Sequence, residues 1–180
     1  MKRSVLFALA VTASTSAFAQ PNPEVEKALL AAPRNLREAA MVIKWKPDFT
    51  HETLRPGTNR LVCYDQSGWP TEQPFSVQCT SVANLERVAQ NKKFETEPDR
   101  AKRQAALDAA EKDGTRVKPE FGSVFYTLSG PDQANARLHT TIAVPGATAT
   151  SLGLPDNNRQ GGAWIMNAGT STAHIMVPGS

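Results

Sequence analysis

Short runs that alternate apolar and polar side chains set the plan of this chain, and runs at helical spacing come second. Residues 39–45 (AAMVIKW) place Met41, Ile43 and Trp45 on one face and Val42 and Lys44 on the other. Residues 60–65 (RLVCYD) set Leu61, Cys63 and Asp65 against Val62 and Tyr64. Residues 121–129 (FGSVFYTLS) oppose Val124, Tyr126 and Leu128 to Ser123, Phe125 and Thr127. Further strands are expected at 138–144, 163–166 and 173–177, the last two spaced for a hairpin.

Helical spacing takes over after residue 81, where Val82, Leu85, Val88 and Ala89 recur at three- and four-residue intervals. A second helix is expected over 97–113, with Thr96 as N-cap and Gly114 just past its end. Leu107 is its only large apolar residue, so a solvated or lightly docked helix is expected. A short helix in 20–38 would serve as packing element or tether. Together these give an α+β domain: a mainly antiparallel sheet of about five short strands, with two or three helices on one side and one disulfide. The domain spans 39–180, with a helical excursion at about 81–114. The helices are expected to cover the face of Val124, Tyr126 and Leu128. The mixed face, with Phe125, His174 and Met176, is then left as a candidate ligand or partner surface.

The first nineteen residues change the reading of charge and compartment. Lys2-Arg3, an apolar run from Val5 to Ala13 and the A-x-A site Ala17-Phe18-Ala19 read as a signal peptide occupying 1–19. The apolar run is about nine residues, where a membrane span needs roughly 20. No transmembrane segment is expected in the mature chain, and a periplasmic or secreted protein is. Losing Lys2 and Arg3 lowers the formal charge from +3 to +1, and the remaining basic residues form no patch, so nucleic acid is not an expected partner. Export places the two cysteines in an oxidising compartment, where Cys63 and Cys79 have one way to pair. Closing a loop of about 15 residues contributes roughly 3 kcal/mol in the chain-entropy model. Pro56-Gly57 fits a type II turn, with glycine supplying a positive φ. Trp69, between Gly68 and Pro70 in the clipped loop, is a candidate partner anchor or a residue packed on the sheet edge.

Leu54-Arg55-x-Gly57-Thr58-Asn59, Cys63 with Asp65, Cys79, the run from Gly122 to Gly130, and His174 with Met176 form an ordered set. In that order the chain resembles a family of small exported bacterial proteins of unknown function. The resemblance implies one exported domain with a disulfide, and it brings no activity, cofactor or catalytic residue.

Catalytic patterns are sparse. The nearest approach to G-x-S-x-G is Ala149 to Gly153, which lacks the first glycine. There is no Walker loop, G-x-G-x-x-G or H-E-x-x-H, and no cofactor is expected. His51, His139 and His174 are far apart in sequence and favour no metal site. The leading expectation is a non-enzymatic exported domain that binds a protein or small ligand, or has an envelope role. The alternative is a small exported hydrolase or metal-dependent enzyme using His139 or His174 with a carboxylate.

Overall fold

A mixed sheet of eight strands carries the molecule in a computed structural model that describes residues 22–178. Its strands are β1 (Met41–Trp45), β2 (His51–Arg55), β3 (Leu61–Asp65), β4 (Phe75–Ser81), β5 (Val124–Gly130), β6 (Arg137–Ala143), β7 (Trp164–Met166) and β8 (His174–Val177). Four α-helices accompany them among the described residues: α1 (Pro23–Ala28), α2 (Leu85–Glu95), α3 (Arg100–Lys112) and α4 (Ala149–Leu152). The spatial order is β2-β1-β3-β4-β5-β6-β8-β7. Only β1 and β3 run parallel; every other neighbouring pair is antiparallel.

Each face of this sheet is covered by a different part of the chain. Val42, Leu61, Cys63, Val77 and Cys79 meet α1 and the turns that follow it, through Val25, Ala28, Leu29, Ala31 and Ala32. Tyr126 and Leu128 pack against the same cluster. The opposite face presents Ile43, Trp45, Val62 and Tyr64 to Val88, Leu85 and Ala89 of α2. The N-terminal segment is thus a structural layer. Lys27 of α1 pairs with Asp65 at 2.6 Å, and its Nζ donates to Ser67 at 3.0 Å.

Cys63 and Cys79 are directly opposed on β3 and β4 and are joined in a disulfide. The stretch before them has a local structural role. Arg55 donates to the carbonyls of Arg37 at 2.5 Å and Ala40 at 2.7 Å. Thr58 and Asn59 donate their backbone N–H groups to Ala39 O, and Asn59 Nδ2 reaches Leu36 O at 3.0 Å. These residues fasten the 36–40 backbone to the sheet. Gly57 lies in that seam, where a Cβ would stand 2.2 Å from Met41 N. Its φ is not positive, so glycine is required here by close backbone approach and not by a type II turn.

The expectation of about five strands with two or three helices on one side is overturned. The described residues hold eight strands and four α-helices, with helical segments on both faces. Two strands escaped the pattern for different reasons. β2 is a polar edge strand, with His51, Glu52 and Thr53 exposed. β4 alternates Phe75, Val77 and Cys79 with Ser76, Gln78 and Thr80, and its polar half reads as loop beside Pro70 and Pro74. Helical cover is also reversed. Tyr126 and Leu128 lie under the N-terminal segment, and α2 and α3 lie over the Phe125 face. The N-cap of α3 is Asp99 and not Thr96, because Asp99 Oδ1 accepts from Ala101 N at 2.8 Å and Lys102 N at 3.0 Å. The 146–162 connection contains α4, a single turn whose Thr148 and Ser151 form a capping box. The expected signal segment, 1–19, lies outside the described residues.

Candidate ligand-binding cavity

Strand register puts one polar and one aromatic set on the sheet face beneath the helices. Gln78 is opposite Thr127, Thr127 opposite His139, Phe125 opposite Thr141, and Ala143 opposite His174. Side chains of directly paired residues share a face, so these line one side of the central strands. Tyr64 Oη donates to Gln78 Oε1 at 2.5 Å, and Gln78 Nε2 donates to Thr127 Oγ1 at 2.8 Å. That ladder fixes the Gln78 amide across three strands.

Above this floor, α2 sends Arg87, Asn91, Phe94 and Glu95 to one side at four-, three- and one-residue steps. From α3 come Arg103 and Leu107, one turn apart, and from the following segment comes Arg116. The space enclosed is about 380 Å³. It lies within the range of small-molecule sites, roughly 300–1,000 Å³. Leu107, the single large apolar residue of α3, is thus a wall of the cavity.

The charges around this space are unevenly satisfied. Arg87 is 5% exposed and donates through Nη1 to Val117 O. The rest of its guanidinium has no protein partner among the described residues, and a guanidinium carries five donors. Burial, with Arg116 beside it, lowers the Arg87 pKa to about 10. Arg116 is held more fully, by Gln90 Oε1 at 2.5 Å, Asn91 Oδ1 at 2.5 Å and the Phe94 ring at 5.1 Å. Arg103 Nη1 donates to Glu97 O at 2.6 Å. No carboxylate ion-pairs with any of the three arginines among the described residues.

Glu95 is the one carboxylate on the cavity wall, and it has no hydrogen bond or ion pair among the described residues. Burial pushes its carboxyl above the ordinary range, aided by Glu72 and opposed by Lys92, Arg103 and Arg116. His174 also lines the cavity, and its Nδ1 lies 2.7 Å from Thr172 O. A carbonyl only accepts, so Nδ1 carries the hydrogen and Nε2 is left to accept from a ligand.

The remaining candidates fall elsewhere. Phe125 and His174 both line the cavity, whereas Met176 and Trp69 do not. Met176 sits between Thr141 and Trp164 in the ladder. Trp69 packs against the Ile43–Tyr64 cluster, with Lys92 Nζ 4.2 Å from its ring centre. His139 is exposed and opposite Thr127, and neither His139 nor His174 hydrogen-bonds a carboxylate among the described residues. No three His, Cys, Asp or Glu side chains are grouped for a metal ion among those residues. Sequence reading missed Arg87, Glu95, Arg103 and Arg116. Their only signal was that Arg87, Asn91 and Glu95 share a helical stripe beside the apolar one.

A second cavity of about 440 Å³ lies near Leu61, Val124 and Tyr126, with Phe121 at its rim. Its Glu120 is already engaged by Arg60 and Ser81. It holds no charged group left without a partner in the way of Arg87 and Glu95. No protein-family model matches the chain, and no curated protein or solved structure matches it.

Proposed function

We propose that this chain is an exported, non-enzymatic binding domain whose site is the 380 Å³ cavity between α2, α3 and the β4–β8 face, and that its ligand is a small anion. One observation carries the reading: Arg87 is buried, lines the cavity, and keeps most of its donors unspent. Burial makes the charged form of Arg87 costlier and lowers its pKa to about 10, against the pull of Glu111. A carboxylate or phosphate arriving in the cavity would offset that cost through two parallel hydrogen bonds. Gln78, Thr127 and Thr141 offer the neutral donors and acceptors that fix the remainder of a ligand.

The signal-like N-terminus supports export, and the Cys63–Cys79 disulfide fits an oxidising compartment. No helix among the described residues is long and apolar enough to cross a membrane.

A thermal-shift screen of small carboxylates, phosphates and sugar acids tests the reading. Anions should raise Tm in the native protein, and Arg87→Gln should abolish the rise while remaining folded. The reading is wrong if no anion raises Tm, or if Arg87→Gln responds like the native chain.

A further inference from the structure

Anion binding leaves one feature of the cavity unexplained. Glu95 is set into the same wall as Arg87, two helical turns along α2, and has no partner among the described residues. For a ligand carrying only negative charge, a carboxylate at this place is a defect, since like charges in a partly desolvated space repel. Lys92, Arg103 and Arg116 act on it through space, but none stands within ion-pair distance, and Arg116 is held by Gln90, Asn91 and the Phe94 ring. Arg103 is committed in part to Glu97 O. The cavity thus presents one unspent cation and one unspent anion on a single helix face.

Two positions eight residues apart on a helix are separated by about 12 Å along its axis. An extended chain advances roughly 3.3–3.6 Å per residue, so a molecule that spans this gap is a peptide of about three to four residues. We infer, resting on the anion-site reading above, that the ligand is a zwitterion with a free carboxylate at Arg87 and a free ammonium at Glu95. Short peptides are the class that carries this pair of groups at such a separation, since a free amino acid holds both on one carbon. Phe94 and Phe125 supply apolar surface between the two ends, and Thr127 and Thr141 supply hydrogen bonds for a peptide backbone. His174 Nε2 is a further acceptor for an N–H group.

The experiment is calorimetric titration of the full mature chain with alanine tri- and tetrapeptides in which one residue is varied through the standard side chains. Each binder is then compared with its N-acetyl and C-amide derivatives. The inference expects a tri- or tetrapeptide to bind, N-acetylation to weaken it at least about tenfold, and C-amidation to do the same. That factor corresponds to about 1.4 kcal/mol. In Glu95→Gln the penalty for N-acetylation should vanish while the penalty for C-amidation persists. Equal binding of free and N-acetylated forms would overturn the zwitterion and leave the anion site standing, provided Arg87→Gln still abolishes binding. If neither these compounds nor simple anions bind, both readings fall. The comparison between derivatives uses the native protein, so it stands even if a variant misfolds.

Discussion

Gly57 and Lys92 show how much of this molecule is decided by single side chains or their absence. A Cβ at residue 57 would meet backbone atoms of Ala39, Ala40 and Met41, none of which is a flexible side chain. Gly57→Ala should therefore cost about 1–3 kcal/mol, the range for overpacking a tight contact. Chemical denaturation reads this directly, and an unchanged midpoint would show that the seam can open. Lys92 is 2% exposed and its Nζ has no hydrogen-bond partner. Its ammonium instead lies 4.2 Å from the Trp69 ring centre, 5.9 Å from Tyr64 and 6.0 Å from Trp45. Cation–π attraction offsets part of the desolvation, and burial lowers the Lys92 pKa despite nearby acids. Lys92→Met keeps the stem among the rings and should change stability by less than about 1 kcal/mol. Lys92→Ala should cost about 2–3 kcal/mol by emptying that space. Equal losses in the two variants would assign the stabilisation to the charge. None of this was legible beforehand. Nothing in the sequence singles out Lys92, because the cage is built from β1, β3 and the clipped loop, which only the fold brings together.

Among the elements, α3 is the one whose attachment is most polar. Glu111 accepts from Ser171 N and Ser171 Oγ, joining the end of α3 to the turn before β8. Those hydrogen bonds hold the Glu111 carboxyl below its ordinary value of 4.5. In the undocked helix the carboxyl takes up its proton near that value; when docked it does so only at lower pH. The contact therefore contributes fully above about pH 4.5 and is lost as pH falls through the lower, docked value. Hydrogen-exchange protection of α3, corrected for intrinsic rates, should drop over that acidic window ahead of β5. Glu111→Gln should lose this pH dependence. A window unchanged by the substitution would place the responsible group elsewhere. Sequence periodicity marked both helices and read α3 as solvated or lightly docked, in keeping with Ala110 as its one buried residue and Leu107 as its one large apolar residue on the cavity. The role of a helix that roofs a polar cavity is carried by Arg103 and Leu107 together, a pairing with no distinctive period. β4 was lost for a related reason: of its polar residues Ser76, Gln78 and Thr80, Gln78 lines the site, and a half-polar strand beside two prolines resembles a loop.

At the scale of the whole molecule, the disulfide joins the neighbouring strands β3 and β4 beneath the N-terminal layer. Cys63 and Cys79 are 16 residues apart, and the chain-entropy model assigns such a loop roughly 3 kcal/mol. Replacing both by alanine should lower stability by about 2–4 kcal/mol while leaving the cavity's ligand response intact at low temperature. Abolished binding in a folded double variant would mean the clip shapes the site directly. The clip and the separate helical segments were readable from cysteine count and periodicity. The two-sided covering was not, because nothing local tells the N-terminal helix which face it will meet. The proposed ligand position lies between α2, α3 and the sheet. The direct measurement is a two-dimensional ¹H–¹⁵N titration with the tightest ligand found, following backbone amides and arginine Nε–H groups. The account predicts shifts at Arg87, Glu95, Arg103, Phe125, Thr127 and His174, absent in Arg87→Gln. Shifts gathered instead around Phe121, Val124 and Tyr126 at the second cavity, with Arg87 silent, would contradict it.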